Sequence, residues 1–325
     1  MKTILSLALL LAMRPAQAGD FGSDAVGTTG SEFLTIDAGA RGVAMAGAYT
    51  AATDDAYSLY WNPAGLTKIP RASAVLMNTQ YLAGINYYYA AYAQHFQDGV
   101  IGGALRYLDF GTFAKTDING NSQGSFHPRS FAYEVGYGRD IPDLSDGNRE
   151  VSAGLTGRWF QSDMVAKAGG FAMDLGVQAR DEKALYPFQY GLVVQNLGRG
   201  QKFDQVRDSL PMRVRMGAAV HWTPQFLLSL EAVTPASNEP YGAAGAEFLL
   251  GSDRTYHAAL RAGVESQSLT GGLDGFRGFS LGLGLSDSRL SFDYAFAPYG
   301  PLGNTHRFSM SYAFPDANSA RYRQR

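Results

Sequence analysis

The chain contains no cysteine, which removes thiolate metal ligands, thiol nucleophiles and disulfide staples together. Charge is scarce as well. Only 17% of the 325 residues are Asp, Glu, Lys or Arg, against about 25% in an ordinary soluble domain. The formal net charge of −2 offers no basic excess to a phosphate backbone, so no nucleic-acid partner is expected. Beyond the N-terminal leader no apolar run approaches the ~18 residues of a helical span, so any membrane crossing must use strands. The histidines His95, His127, His221, His257 and His306 show no paired ligand spacing. Neither a metal nor a cofactor is expected.

What the chain has in abundance is glycine and aromatic carbon: 39 Gly, 19 Tyr and 19 Phe in a sequence that is 46% hydrophobic. Low charge with excess aromatics suits a wall that faces lipid and carries aromatic girdles. Lys2, the apolar run Ile4 to Met13 and the small-x-small sequence Ala16-Gln17-Ala18 read as a secretory signal over residues 1–18. The expected organisation is then a plug segment over 19–72, an all-β transmembrane antiparallel barrel over 73–314 and a tail over 315–325. Location in the outer membrane and contact with its lipid follow from that class.

From Ser73 onward the dominant period is two. Between Met212 and Trp222 one parity reads Met, Val, Met, Ala, Val, Trp and the other carries Arg213, Arg215 and His221. Phe279, Leu281, Leu283 and Leu285 alternate with serine and glycine, and Leu290 to Phe296 alternate with Ser291, Asp293 and Ala295. In 171–180 the second face is Ala172, Asp174, Gly176, Gln178 and Arg180, which a dry soluble core would not hold. Such runs number about fourteen, each near the length of a tilted bilayer-spanning strand. They fall near 73–81, 85–96, 100–110, 129–139, 150–161, 171–180, 189–196, 211–222, 226–234, 241–250, 256–265, 276–285, 289–297 and 305–314. Ile85 to Tyr92 is apolar on both parities, so its faces stay open.

With the barrel starting on the periplasmic side, the connections after odd strands are external and include the longest ones, near 111–128, 197–210 and 266–275. Most even connections are short, as in Gln97-Asp98-Gly99, although 140–149 and 181–188 are of medium length. The last strand places Phe308, Met310, Tyr312 and Phe314 on one parity. It resembles the terminal strand read by barrel-assembly machinery, with a tail after the final Phe.

Residues 19–71 do not alternate. Gly39-Ala40-Arg41 opens a small-residue run, and Asp54-Asp55-Ala56 leads into Tyr60-Trp61-Asn62-Pro63-Ala64-Gly65-Leu66. Small side chains let a backbone pack in a confined space, and Asn62-Pro63 is a turn pair relieved by Gly65. This segment is expected to enter the lumen as a hatch. Together these motifs, over roughly residues 27–66, resemble the PorV/PorQ family within the FadL-like superfamily of fourteen-stranded outer-membrane barrels. Ala46 stands where that pattern would carry glycine. The resemblance implies two roles: a membrane component of type IX protein secretion that meets secretion machinery or cargo, or a hatch-gated channel for hydrophobic small molecules.

Catalysis is not expected. Gly278-Phe279-Ser280-Leu281-Gly282 matches a nucleophile elbow as a string, but it falls within a period-two run and not at a strand-to-helix turn. Asp54 and Asp55 have too few neighbouring oxygen ligands for Ca²⁺ and fit plug-to-wall or helix-end hydrogen bonds better. The candidate lumen charges are Arg158, Asp174, Arg213, Arg215, Arg261 and Asp293, together with Arg41 and the acids Glu134 and Glu265. They read as ion pairs that hold the plug, or as a selectivity ring for an anionic headgroup.

Overall fold

The computed structural model describes residues 26–145, 149–181, 184–251, 256–270 and 277–315. The expected signal at 1–18, the first plug residues 19–25 and the tail after Pro315 lie outside them. Alternating sequence becomes strand throughout: β1 Ala72–Gln80, β2 Asn86–Phe96, β3 Gly99–Asp109, β4 Phe113–Thr116, β5 Ser122–Phe126, β6 Arg129–Asp140, β7 Arg149–Asp163 and β8 Lys167–Asp181. The second half gives β9 Phe188–Arg199, β10 Arg213–Thr223, β11 Phe226–Pro235, β12 Tyr241–Leu250, β13 Tyr256–Glu265, β14 Phe279–Asp287, β15 Leu290–Pro298 and β16 Asn304–Phe314. Fourteen of these close into one antiparallel barrel in which β1 pairs with β16, and β4 with β5 forms a separate hairpin. That hairpin lies inside the expected long connection 111–128 and had no alternating signal strong enough to announce it.

Closure leaves none of the fourteen barrel strands with an unpaired edge, which is what a lipid environment demands of a β structure. Side chains sort accordingly. Leu76, Leu105, Val135, Leu155, Leu230, Leu281, Leu283 and Phe292 point outward and are exposed. Among the described residues, the charged side chains between the strand ends point inward and are buried, Arg106, Glu134, Arg158, Glu231 and Asp293 among them. The open question of β2 resolves by packing: Tyr87, Tyr89, Ala91 and Ala93 are buried inward while Tyr88 and Tyr92 face out. Outward rings cluster near the strand ends, with Tyr133 stacked on Trp159 and Tyr186 stacked on Trp222. Amphipathic rings at the two interfaces are how a barrel marks its depth in the bilayer.

The lumen is full. Residues 32–71 run through it as short helical turns, Glu32–Thr35, Ala40–Ala44, Ser58–Trp61 and Pro63–Lys68. Phe33, Leu34, Met45, Tyr49, Tyr60 and Trp61 are buried against the inner wall. At one end Thr29 bridges to Ser209 in the long β9–β10 connection. At the other, Lys68 pairs with Asp140 and Glu150, and the His95 ring is 3.1 Å from the Ile69 carbonyl, beside the short β2–β3 turn. The segment therefore crosses the whole barrel from the long-loop end to the short-turn end. A cysteine at Thr28 is expected to react with an impermeant maleimide on intact cells and one at Asp98 is not; the reverse pattern would invert the assigned orientation.

A hatch packed into a wall of glycine

The small residues on both sides explain how a chain with bulky aromatics fits inside so narrow a ring. A Cβ placed on Gly136 would strike the Leu59 side chain, on Gly154 the Pro63 carbonyl, on Gly176 the Asn62 carboxamide and on Gly191 the Thr50 carbonyl. Across the barrel the same holds for Gly245 and Gly263 against Met45 and for Gly282 against Ala44. The hatch backbone thus touches the wall backbone on strand after strand, which leaves little room for water between them.

Asn62 is the centre of this seat. Its carboxamide oxygen accepts from Ala64 N at 3.1 Å, capping the turn that Pro63 opens, while its Nδ2 donates to Thr50 O and Val177 O. One side chain closes the hatch turn and ties it to two other segments. Gly65 is required beneath it, because a Cβ there would lie 2.6 Å from the Thr53 carbonyl. Trp61 is fully buried; its indole N–H donates to Ala38 O at 2.7 Å and its ring stands edge-on to Tyr49 and Tyr60. Gly39 takes φ 85° and donates to Met77 Sδ at 2.9 Å, and Ala40 N donates to Ser309 Oγ at 2.7 Å. Ala46, the departure from the family pattern, is held at φ 53°, where a side chain costs about 1–2 kcal/mol.

Charges at the hatch and wall do not form one ring. Arg41 reaches from the hatch to Glu247 with two hydrogen bonds of 2.8 Å and also meets Asp54 at 3.0 Å. Glu247 is shared with Arg261, which continues to Asp293 at 2.6 Å. On the far wall Arg158 lies 2.7 Å from Glu134 and 2.8 Å from Asp174, and Arg106 also pairs with Glu134. A third group joins Arg215 to Glu231 at 2.7 Å, while Arg213 donates to Gln195 and to the Tyr60 hydroxyl. Glu265 takes no part: it stands at the rim and accepts from Ser268. Sequence reasoning missed Arg106, Glu231, Glu247, Arg307 and the hatch acid Asp37, although Leu228-Ser229-Leu230-Glu231 and Ala246-Glu247-Phe248 carry the alternation that marks inward acids.

Ser280 has no catalytic geometry. Its hydroxyl donates to Ala44 O and accepts from Ala46 N, both at 3.0 Å, so it fastens the hatch from within strand β14. Among the described residues no cluster of three or more His, Asp or Glu could hold a metal ion.

A family profile for the type IX secretion system protein PorV matches residues 21–230. The chain belongs to the PorV family. No curated protein matches the chain. Among solved structures, the CymD monoaromatic hydrocarbon channel aligns with a TM-score of 0.56 at 11% identity, over 86% of this chain and 98% of its own. The toluene transporter TbuX of Ralstonia pickettii aligns at 0.55 and 11%, over 85% and 98%. A Pseudomonas aeruginosa FadL homologue aligns at 0.53 and 10%, over 85% and 98%. At these identities the likeness is one of fold. This PorV-family chain is an outer-membrane β-barrel with an internal hatch.

Proposed function

We propose that this PorV-family barrel is a hatch-gated channel that admits hydrophobic small molecules across the outer membrane. The observation that carries the reading is the apolar floor of the external opening. Phe33 and Leu34 of the hatch are buried there with Phe160 and Leu210, and the partly exposed Ile36, Ile85 and Phe110 lead toward them. A polar solute gains nothing on that surface, whereas an apolar one gains roughly 25 cal/mol per Å² removed from water. The likeness in fold to channels for monoaromatic hydrocarbons supports the same reading. Proteoliposomes carrying the protein are expected to accumulate a neutral aromatic probe such as naphthalene faster than empty ones; equal rates would overturn the channel.

The second reading, a membrane component of type IX secretion, is favoured by the family match and by the external hairpin β4–β5. Its tip residue Ile118 is fully exposed, and the rings of Phe113 and Phe126 pair at the hairpin's base. A contact for cargo or machinery would use such a projecting apolar tip. Crosslinking from position 118 in native outer membrane distinguishes the two: a specific protein adduct supports secretion, and its absence together with probe uptake supports the channel.

A further inference from the structure

The external rim of the barrel is uneven in charge. Among the described residues, the lysine and arginine side chains that face outward from the external strand ends are Arg129, which opens β6, Lys167, which opens β8, and Arg199, which closes β9. One acid stands among them, Asp163, which the register sets opposite both Arg129 and Lys167. It lies 3.4 Å from each, longer than the about 2.7–2.9 Å of a well-made charge-assisted bond. Asp109, the next acid along this rim, is held by His127 at 2.9 Å, and Arg199 meets no acid among the described residues. Three cations against one shared acid leave a positive surplus on one side of the mouth.

That patch is fixed in place. Gln201 is buried just beyond Arg199, and its amide donates to Ser162 Oγ at 2.9 Å and to Ala168 O at 3.0 Å, the chain neighbours of Asp163 and Lys167. One side chain thus ties the end of β9 to the β7–β8 hairpin, so the cations keep their spacing without a ligand. On the bilayer side of them stand the rings of Phe131, Tyr133 and Trp159, in mutual contact, with Phe171 opposite Trp159 in the register. Deeper still, Gly103 and Gly157 flank Val135, and a Cβ on either would meet nothing closer than 3.5 Å. The outer wall here is a shallow apolar trough topped by cations. Interfacial rings mark headgroup depth, which sets the cations at the level of lipid heads and the trough along the acyl chains.

We propose that this rim seats a bisphosphorylated lipid of the outer leaflet. Arg129 and Lys167 take one phosphate, Arg199 takes the other, and an acyl chain lies over Gly103 and Gly157. Phosphate fits because a guanidinium fork meets its oxygens bidentately and its charge engages more than one cation. Two phosphates fit better than one because Arg199 lies opposite Phe171, four residues from Lys167 along β8, a span of about 13 Å. The seat is independent of what passes through the lumen, since every residue in it faces away from the hatch.

The test uses the purified full chain in maltoside micelles, titrated with diphosphoryl lipid A, its monophosphoryl form or inorganic phosphate and read by native mass spectrometry. Diphosphoryl lipid A is expected to bind one per chain, about tenfold more tightly than the monophosphoryl form. The combined variant Arg129→Gln, Lys167→Gln, Arg199→Gln should weaken it by on the order of a hundredfold, and Asp163→Asn should tighten it severalfold by removing the resident acid. Arg71→Gln, Arg139→Gln, Arg289→Gln takes the same charge from the opposite rim and should leave binding unchanged. Heat-modifiable mobility on gels verifies that each variant is folded; if the first combined variant fails to fold, Asp163→Asn decides, and no tightening in it overturns the seat. Equal weakening in the two combined variants, equal affinity for the two forms of lipid A, or displacement of the lipid by inorganic phosphate also overturns it.

Discussion

A leucine in place of Gly154 is expected to turn a sealed barrel into a conducting one. Gly154 faces inward on β7, and even a Cβ there would lie 2.5 Å from the Pro63 carbonyl oxygen and 2.6 Å from Ala64 N. Both obstacles are backbone in the turn that Asn62 caps, so neither can swing aside as a side chain would. The hatch must lift. An overpacked site costs about 1–3 kcal/mol, which raises the open fraction by roughly five- to more than a hundredfold when it falls on one state of a two-state seat. Single-channel recording in planar bilayers should show the change, as should sensitivity of whole cells to large antibiotics. Gly157→Leu is the control, since a Cβ at that outward position on the same strand meets nothing closer than the Phe171 ring at 3.7 Å. A Gly154→Leu protein that keeps its heat-modifiable mobility and stays silent in the bilayer would show that the hatch does not depend on this contact.

That contact also marks where sequence reading succeeds and where it stops. Strand existence was legible because lipid on one side and hatch on the other impose a period of two, and the expected boundaries of β10 to β13 and β16 fall within two residues of those observed. Phe314 closes β16 and packs on Tyr92 of β2 across β1, a consequence of closure that alternation alone implies. The faces of β2 were not legible, since Tyr87 and Tyr89 are as apolar as Tyr88 and Tyr92 and only the Tyr57 ring stacked on Tyr89 shows which side is the hatch. Charge pairing was legible in kind but not in partner. Arg261 meets Glu247 and Asp293 because β12, β13, β14 and β15 adjoin in the barrel, and nothing in the local sequence states that register. The hatch path was least legible: Asp37 and Tyr60 meet through a chain reversal with no periodic signal.

Glu134→Gln is expected to lower barrel stability by about 3–5 kcal/mol, because it leaves two buried guanidinium groups without the acid they share. Arg106 and Arg158 are 0% and 1% exposed. Asp174 remains for Arg158, but Arg106 keeps only its bond to the Leu34 carbonyl. The urea midpoint in lipid should fall and the amount of folded protein in the membrane should drop; an unchanged midpoint would mean that water reaches this network. Replacing Arg106 by Met in the same chain should recover part of the loss, since the surplus cation goes with it while Arg158 keeps Asp174. Arg41→Gln is expected to behave differently in that assay. Glu247 keeps Arg261 when Arg41 is gone, and the Arg41 side chain is 24% exposed, so the barrel should unfold near the wild-type midpoint. What Arg41→Gln should change is conductance, because its tie to Glu247 is the hatch's bidentate ionic hold on the wall. The wall acids Glu134, Asp174, Glu231, Glu247 and Asp293 each have an arginine partner on the wall itself. The hatch can therefore leave its seat without stranding an acid in the low-dielectric interior, which is the electrostatic condition a movable plug has to meet.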